Sequence, residues 1–259
     1  GEYDPLKSSH VNVITYLSKN KRGGKVDMKV NVLSISTMIV LSLFVMGCSS
    51  TPNNSSRQYS VETRINLPEP RLDSSVSIEK ALHERRSVRD YSEEALTIDE
   101  ISQLLWAAQG ITDSAGFRTA PSAGGTYPLE IYLATGNVEN LDPGVYRYDT
   151  YQHDLLKILD GDIRAELSAD ALDQAWIKEG AANIIIAAEY ERTAKRYGDR
   201  AQRYVHMEAG HAGQNIYLQA IALNLGTVTV GAFDDGKVQH LLNLPDGHEP
   251  LYIMPVGRK

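Results

Sequence analysis

A helical stretch from about Ala201 to Asn224, ended by Gly226, carries Ala209, Gly210, Ala212 and Gly213, small residues that let another backbone approach closely. A helix of that length must be buried against something. Short apolar runs supply the partner: Glu130 to Thr135, Val145 to Tyr148, Leu155 to Leu159, Asn183 to Glu189, Thr227 to Val230 and Leu251 to Val256 read as strands. Further helices announce themselves by their starts. Ser77 N-caps one that runs to about Arg85. Thr97 and Glu100 form a Thr-x-x-Glu capping box that opens another, with Ile98, Ile101, Leu104, Leu105 and Ala108 on one face and Gly110 as its stop. Strands mixed with long helices, some joined by hairpins, predict an α+β fold rather than a regular doubly wound sheet. The 259 residues, 42% of them hydrophobic, suffice for one large domain or two modest ones.

The N-terminal quarter has another character. Val30 to Ser56 carries no charged side chain, its centre Val32 to Met46 is mostly apolar, and Lys19, Lys21, Arg22, Lys25 and Lys29 precede it. A basic segment followed by a short apolar one describes an export signal better than a membrane span, which needs roughly 20 apolar residues. Val45-Met46-Gly47-Cys48 resembles the lipobox of bacterial lipoproteins, in which cleavage before the cysteine leaves a thiol to carry diacylglycerol. On this reading Met28 is a start candidate and residues 1–27 are upstream or non-structural. Residues 28–47 are then a signal peptide, Cys48 is the lipidation site, and 48–76 form a polar tether and an extended lead-in. Residues 77–259 form the folded domain. The expected location is the bacterial cell envelope, lipid-anchored outside the cytoplasm, or the cytoplasm if the signal is unused. The alternative reading of the apolar stretch is a buried helix with a chance cysteine.

Charge and cysteine content exclude several classes. Beyond Cys48 the chain has 20 basic and 30 acidic residues, the wrong balance for holding nucleic acid through its phosphates. One cysteine allows no intrachain disulfide and no cysteine-built zinc or iron–sulfur centre within one chain. His206 and His211 invite a metal reading, but five residues turn them about 140° apart on a helix, so no metal site is expected. Neither a Gly-x-Ser-x-Gly elbow nor a His-Glu-x-x-His motif is present.

What remains are three features with chemistry in them. Arg85-Arg86-Ser87-Val88-Arg89 gathers guanidinium forks and a hydroxyl on an acidic chain, which suits a phosphate, or equally decorates a helix C-terminus. Ser122-Ala123-Gly124-Gly125, in a turn bounded by Pro121 and Pro128, lets backbone approach a flat ligand, or simply shapes a tight loop. Glu208 to Asn215 on the long helix is followed by Gly231-Ala232-Phe233-Asp234.

Taken in order, these motifs resemble the FMN-dependent nitroreductase superfamily, and within it the SagB/ThcOx-like branch of SagB-type dehydrogenases, over roughly Ser77 to Arg258. The series is Arg-Arg-Ser-x-Arg, Leu-Leu-Trp-Ala-Ala-Gln-Gly, Pro-Ser-Ala-Gly-Gly-x-Tyr-Pro, Ala-Gly-His-x-x-Gln-Asn, Gly-Ala-Phe-Asp and Pro-Val-Gly-Arg. The resemblance implies a nitroreductase-like fold, a mixed, mainly antiparallel sheet flanked by helices, and a homodimer with FMN between subunits. It implies that Arg85, Arg86, Ser87 and Arg89 contact the FMN phosphate and ribityl chain and that Arg258 closes the phosphate site. Ser122, Ala123, Gly124 and Gly125 would line the isoalloxazine ring, and Gly231 and Ala232 would face its reactive edge. Gly125 and Tyr127 stand where many nitroreductases have Asn and Gln, which follows the SagB-like pattern. The catalytic Lys-Tyr pair of azoline oxidases reads Arg203-Tyr204 here, and a protonated Arg is a poor proton acceptor. Tyr204 either moves a proton or packs on the helix with its hydroxyl in water. The implied activity is ping-pong hydride transfer through FMN N5 from NAD(P)H to a nitroaromatic, quinone or similar conjugated acceptor. Alternatives are a dehydrogenase oxidising azoline-type or other C–H substrates, including peptides, and a membrane-tethered flavin-binding protein without turnover.

Overall fold

The computed structural model describes residues 63–259. Segment 1–27, the signal 28–47, Cys48 and the tether up to residue 62 lie outside the described residues. The described residues build one seven-stranded sheet with helices on both faces. In chain order the elements are β1 (Arg64–Asn66), α1 (Ile78–Glu84), α2 (Ile98–Gln109), β2 (Leu129–Thr135), β3 (Gly144–Asp149), β4 (Asp154–Asp160), α3 (Arg164–Asp170) and α4 (Ala175–Glu179). There follow β5 (Ala182–Glu189), α5 (Tyr190–Tyr197), α6 (Ala201–Ala222), β6 (Leu225–Thr227), α7 (Asp235–Leu241) and β7 (His248–Arg258).

The strands lie in the order β1-β4-β3-β2-β5-β7-β6, and every named pair is antiparallel. The one parallel pairing among the described residues is the isolated bridge between Leu96 and Val138. Alternation along the central strands sorts side chains to two cores. Leu129, Ile131 and Leu133 of β2 join Ile184 and Ile186 of β5 on one face, under Ile101, Leu104, Leu105 and Ala108 of α2 and Val205, Ala209, Ala212 and Ile216 of α6. Tyr132, Ala134, Ile185 and Ala187 point the other way, toward Leu167 of α3, Ile177 of α4, and Val238 and Leu241 of α7.

α6 is 22 residues and about 33 Å long. Of its small residues, Ala209, Ala212 and Gly213 are buried against the chain's own sheet and only Gly210 faces outward. The expected caps are in place: Ser77 Oγ accepts from Lys80 N–H, and the Thr97/Glu100 capping box is complete. Among the described residues no helix is long and apolar enough to cross a membrane.

The structure corrects two sequence expectations. The folded part begins before Ser77: Arg64–Asn66 pairs with β4 as the edge strand, anchored by Arg64 Nη1 at 2.8 Å from Asp154 Oδ2. The strand expected at Thr227 to Val230 is instead Leu225–Thr227, and Val230 makes only a bridge to Ile253. The cause is Thr229, whose N–H is donated to the Tyr217 hydroxyl at 2.8 Å rather than to a neighbouring strand.

Candidate functional site

The residues singled out by the sequence fall into two groups. The first is built where the chain leaves α1 and runs along β6 and β7. Val88 N–H donates to Thr227 O at 2.9 Å and Ser92 N–H to Arg258 O at 3.0 Å. Gly226 permits this approach, since a Cβ there would come within 2.6 Å of Val88 Cγ1. Held so, the Arg85 guanidinium lies 5.2 Å from the Tyr217 ring centroid, and Ser87 Oγ is 3.1 Å from the Tyr217 hydroxyl. Burial alone would raise that hydroxyl, but the hydrogen bonds from Ser87 and Thr229, together with Arg85, outweigh it and hold it below the usual phenol range.

The 228–232 segment continues from Thr229 to Gly231 and Ala232, both exposed, with Tyr252 beside Gly231 and Gln174 Nε2 donating to Ala232 O at 2.9 Å. Arg89 covers the Trp176 ring at 5.2 Å. Arg85, Ser87 and Arg89 therefore approach one rim of the sheet, with Gly231 and Ala232 on the segment that leaves it.

Two arginines are occupied otherwise. Arg86 Nη1 donates to His83 O at 2.9 Å and Arg85 O at 2.7 Å, which satisfies carbonyls at the C-terminus of α1. Arg258 holds Glu100 with both terminal nitrogens, at 2.9 and 3.1 Å. Its Nε lies 2.8 Å from Glu94 Oε1 without the alignment of a hydrogen bond. The structure thus gives the Arg258 fork two carboxylates as partners.

The second group surrounds the loop Ser122–Gly125, which starts as a single 3-10 turn at Ala123–Gly125. Gly124 takes φ +61°, and a Cβ there would lie 2.6 Å from Tyr197 Oη; Arg196 Nη1 donates to Gly124 O at 2.9 Å. Tyr197 meets Tyr204 edge to face with centroids 5.0 Å apart. Tyr204 is half-buried under the loop's support and Arg203 is exposed beside it. Ser122 Oγ accepts Tyr127 N–H at 2.9 Å, and Arg118 lies over the Tyr127 ring at 4.5 Å. His206, weighed above as a metal ligand, hydrogen-bonds Tyr190 Oη at 2.6 Å. Among the described residues no His, Cys, Asp or Glu group is arranged to hold a metal ion.

Sequence reasoning missed Tyr217, Arg196 and Tyr197 as members of these groups. Tyr217 reads as one more aromatic on the long helix, because its partner Ser87 is 130 residues away. Gly198, at φ +53°, ends α5 directly after Arg196 and Tyr197 and was the one local sign that this pair sits at a helix terminus.

The matched family model, described as the nitroreductase family, covers residues 82–258, and the chain belongs to that family. A nitroreductase of Methanocaldococcus jannaschii is 50% identical over 184 residues, 71% of this chain and 92% of its own. An NADPH-flavin oxidoreductase of Vibrio harveyi is 26% identical over 111 residues, 40% of this chain and 46% of its own. The crystal structure of a nitroreductase from Anabaena variabilis superposes with a TM-score of 0.68 at 32% identity, covering 76% of this chain and 42% of that protein. The fold and the family make this chain an oxidoreductase of nitroreductase type.

Proposed function

We propose that the chain is an FMN-dependent oxidoreductase that works between NAD(P)H and a nitroaromatic, quinone or similar conjugated acceptor. The observation that carries the reading is the convergence of Arg85, Ser87 and Tyr217 at the base of the 228–232 segment. A guanidinium with two hydroxyls in line, on a chain body that is otherwise acidic, fits a phosphate monoester. The exposed small residues Gly231 and Ala232 fit a flat ring that needs backbone contact. FMN, when bound, supplies hydride transfer in both directions at one ring position, so no nucleophilic side chain is required.

The chain's own residues do the rest. Arg85 and Ser87 anchor the phosphate end, with Arg89 next along the chain. Tyr217 ties Ser87 to Thr229 and so fixes the anchor relative to Gly231. Ser122–Gly125, braced by Arg196 and Tyr197, offers a backbone surface to a planar ligand. The loop and the anchor lie toward opposite ends of α6, one near Tyr204 and the other at Tyr217. That separation supports a homodimer in which each site takes parts from both copies, and the exposed Ile78, Leu82 and Met207 on α1 and α6 suit its interface. Gly125 and Tyr127 support placement in the SagB/ThcOx-like branch, in which Tyr204, packed on Tyr197 beside the loop, would move a proton. We further propose anchoring to the cell envelope through a lipid on Cys48, for which metabolic labelling with a radioactive fatty acid, lost in Cys48→Ser, is the test.

The deciding experiment is a visible spectrum of the full chain purified in detergent, with released flavin identified, followed by anaerobic NADH and NADPH. Bound FMN that bleaches with either donor is the expected result. FMN that stays oxidised would favour a dehydrogenase or a flavin-binding role, and no flavin after reconstitution would overturn the reading.

A further inference from the structure

The loop carrying Ser122 rests on a buried acid. Glu208 lies on the inner face of α6, 2% exposed, near enough to the Ser122 hydroxyl and the Gln109 amide for both to favour its charged form. Its Oε1 has no aligned hydrogen-bond donor, and neither does Gln109 Nε2 have an aligned acceptor. An ionised carboxylate accepts at about four lone-pair positions, so this setting leaves the charged form poorly satisfied.

The charges nearby are engaged elsewhere. Arg118, the charged group that acts on Glu208, donates through Nη1 to Gln109 Oε1 at 2.9 Å and lies over Tyr127. On α5, Arg196 holds Gly124 O, while Arg192 is bound to Glu130, Glu189 and Tyr127 O. From the sheet side the neighbours of this part of α6 are apolar, among them Leu129, Ile186 and Ala188. No ion pair reaches Glu208 among the described residues.

The Ser122 hydroxyl has one proton to give and two lone pairs to fill. Tyr127 N–H already fills one lone pair. If Glu208 is protonated and donates to the other, the serine proton has nowhere inside to go and is turned out of the loop. If Glu208 is ionised, the serine proton is drawn in toward the carboxylate, and the loop shows the outside an acceptor instead.

We propose that Glu208 and Ser122 form a two-position proton switch that sets whether the loop Ser122–Gly125 presents a hydrogen-bond donor or an acceptor to the ligand stacked on it. The donor position favours a ligand that carries or develops negative charge on a ring oxygen or nitrogen, as a flavin or conjugated acceptor does on reduction. Glu208 is thus a positioning residue acting through Ser122. Burial, the larger influence, pushes its carboxyl up to about 7, against the lowering effects of Ser122, Arg118 and Gln109, which puts the switch point near neutrality. The identity of the ligand rests on the function proposed above; the switch itself does not.

The test therefore has two arms. In the flavin-free full chain, infrared difference spectra against pH should show a protonated-carboxyl C=O band that disappears around pH 7 and is missing in Glu208→Gln. Because the Ser122 hydrogen bond favours the ionised form, Ser122→Ala should move that midpoint up by roughly half a pH unit or more. No such band, or a band whose midpoint and frequency Ser122→Ala leaves unmoved, overturns the proposal. In the flavin-loaded chain, the midpoint potential plotted against pH should break near neutrality in the parent. Since the reduced flavin also ionises at N1 in this range, the readout is the position of the break: it should move in Glu208→Gln, move differently in Ser122→Ala, and return to the parent's position in Ser122→Thr. A break at the parent's position in Glu208→Gln also overturns it. A chain that takes up no flavin sinks the proposed function, and the infrared arm still decides the switch.

Discussion

Arg258 closes on Glu100 across 158 residues of sequence, Nη1 to Oε1 at 2.9 Å and Nη2 to Oε2 at 3.1 Å, and so pins the end of β7 to the first turn of α2. Glu100 does two jobs at once, because its Oε2 also accepts Thr97 N–H at 2.8 Å as half of the capping box. Glu100→Ala removes the reciprocal half of the capping box and the ion pair together, while the Thr97 hydroxyl still caps the backbone N–H of residue 100, and should cost about 1–2 kcal/mol in urea unfolding. Arg258→Ala leaves the cap intact and should cost about 1 kcal/mol. Equal losses would mean that the hydrogen bond from Thr97 N–H to the Glu100 carboxylate contributes nothing.

The two neighbouring arginines after α1 should respond differently. Arg85→Ala removes the guanidinium stacked on Tyr217 and should weaken FMN binding by roughly 10-fold or more, with little change in unfolding. Arg86→Ala removes donors to His83 O and Arg85 O, so it should lower stability by under about 1 kcal/mol and leave FMN affinity unchanged. Fluorescence titration with FMN alongside thermal melts separates the two, and an affinity loss in Arg86→Ala would return that residue to the phosphate site.

Tyr217→Phe takes an acceptor from Thr229 N–H and a partner from Ser87. The expected cost is about 1–2 kcal/mol of stability, together with faster amide hydrogen exchange at Thr229. Unchanged protection at Thr229 would show that the hydroxyl is dispensable there.

Glu208 should make stability fall as pH rises. Its folded carboxyl keeps a proton up to about 7, whereas an ordinary glutamate releases it near 4.5. Between those values the folded chain binds more protons than the unfolded one, so the slope of unfolding free energy with pH is negative. The cost is absent below the lower value and complete above the higher, on the order of 3 kcal/mol. Glu208→Gln should abolish this component, gaining on the parent as pH climbs from about 4.5 to about 7 and holding that gain above it; parallel stability curves would rule it out.

Gly124→Ala forces a side chain into a left-handed conformation and against both the Tyr197 hydroxyl and the Arg196 guanidinium. A loss of about 1–3 kcal/mol is expected. Adding Tyr197→Phe should recover the hydroxyl's share of the clash, and no recovery would leave backbone strain and the Arg196 contact as the cost.

What the sequence revealed and what it hid divide by distance along the chain. The Thr97/Glu100 box spans four residues and the alternation in β2 and β5 spans seven or eight, so local periodicity was enough to find them. Arg64–Asn66 is too short to show a period of two and is held by acids from β3 and β4, Asp149 and Asp154. The strand at Thr227 was misplaced because β-branched residues continue to Val230, while the hydrogen bond that takes Thr229 out of the sheet comes from a helix. Arg85 and Ser87 were recognised as a cluster, yet Tyr217, the residue that orients them, was invisible without the fold. Arg86 and Arg258 carry the same chemistry as Arg85, and the hydrogen bonds they make to carbonyls and carboxylates within the chain are not readable from sequence.

β7 lies between β5 and β6, and it is the C-terminal element of the fold. During synthesis, β5 therefore emerges with an open edge of apolar residues that stays unmatched until about sixty more residues have been added and β7 has cleared the ribosome. No stable sheet core can form from the earlier strands alone on that side. Until then the free edge of β5 is open to pairing with another chain, and the sheet is completed only when its last strand is made.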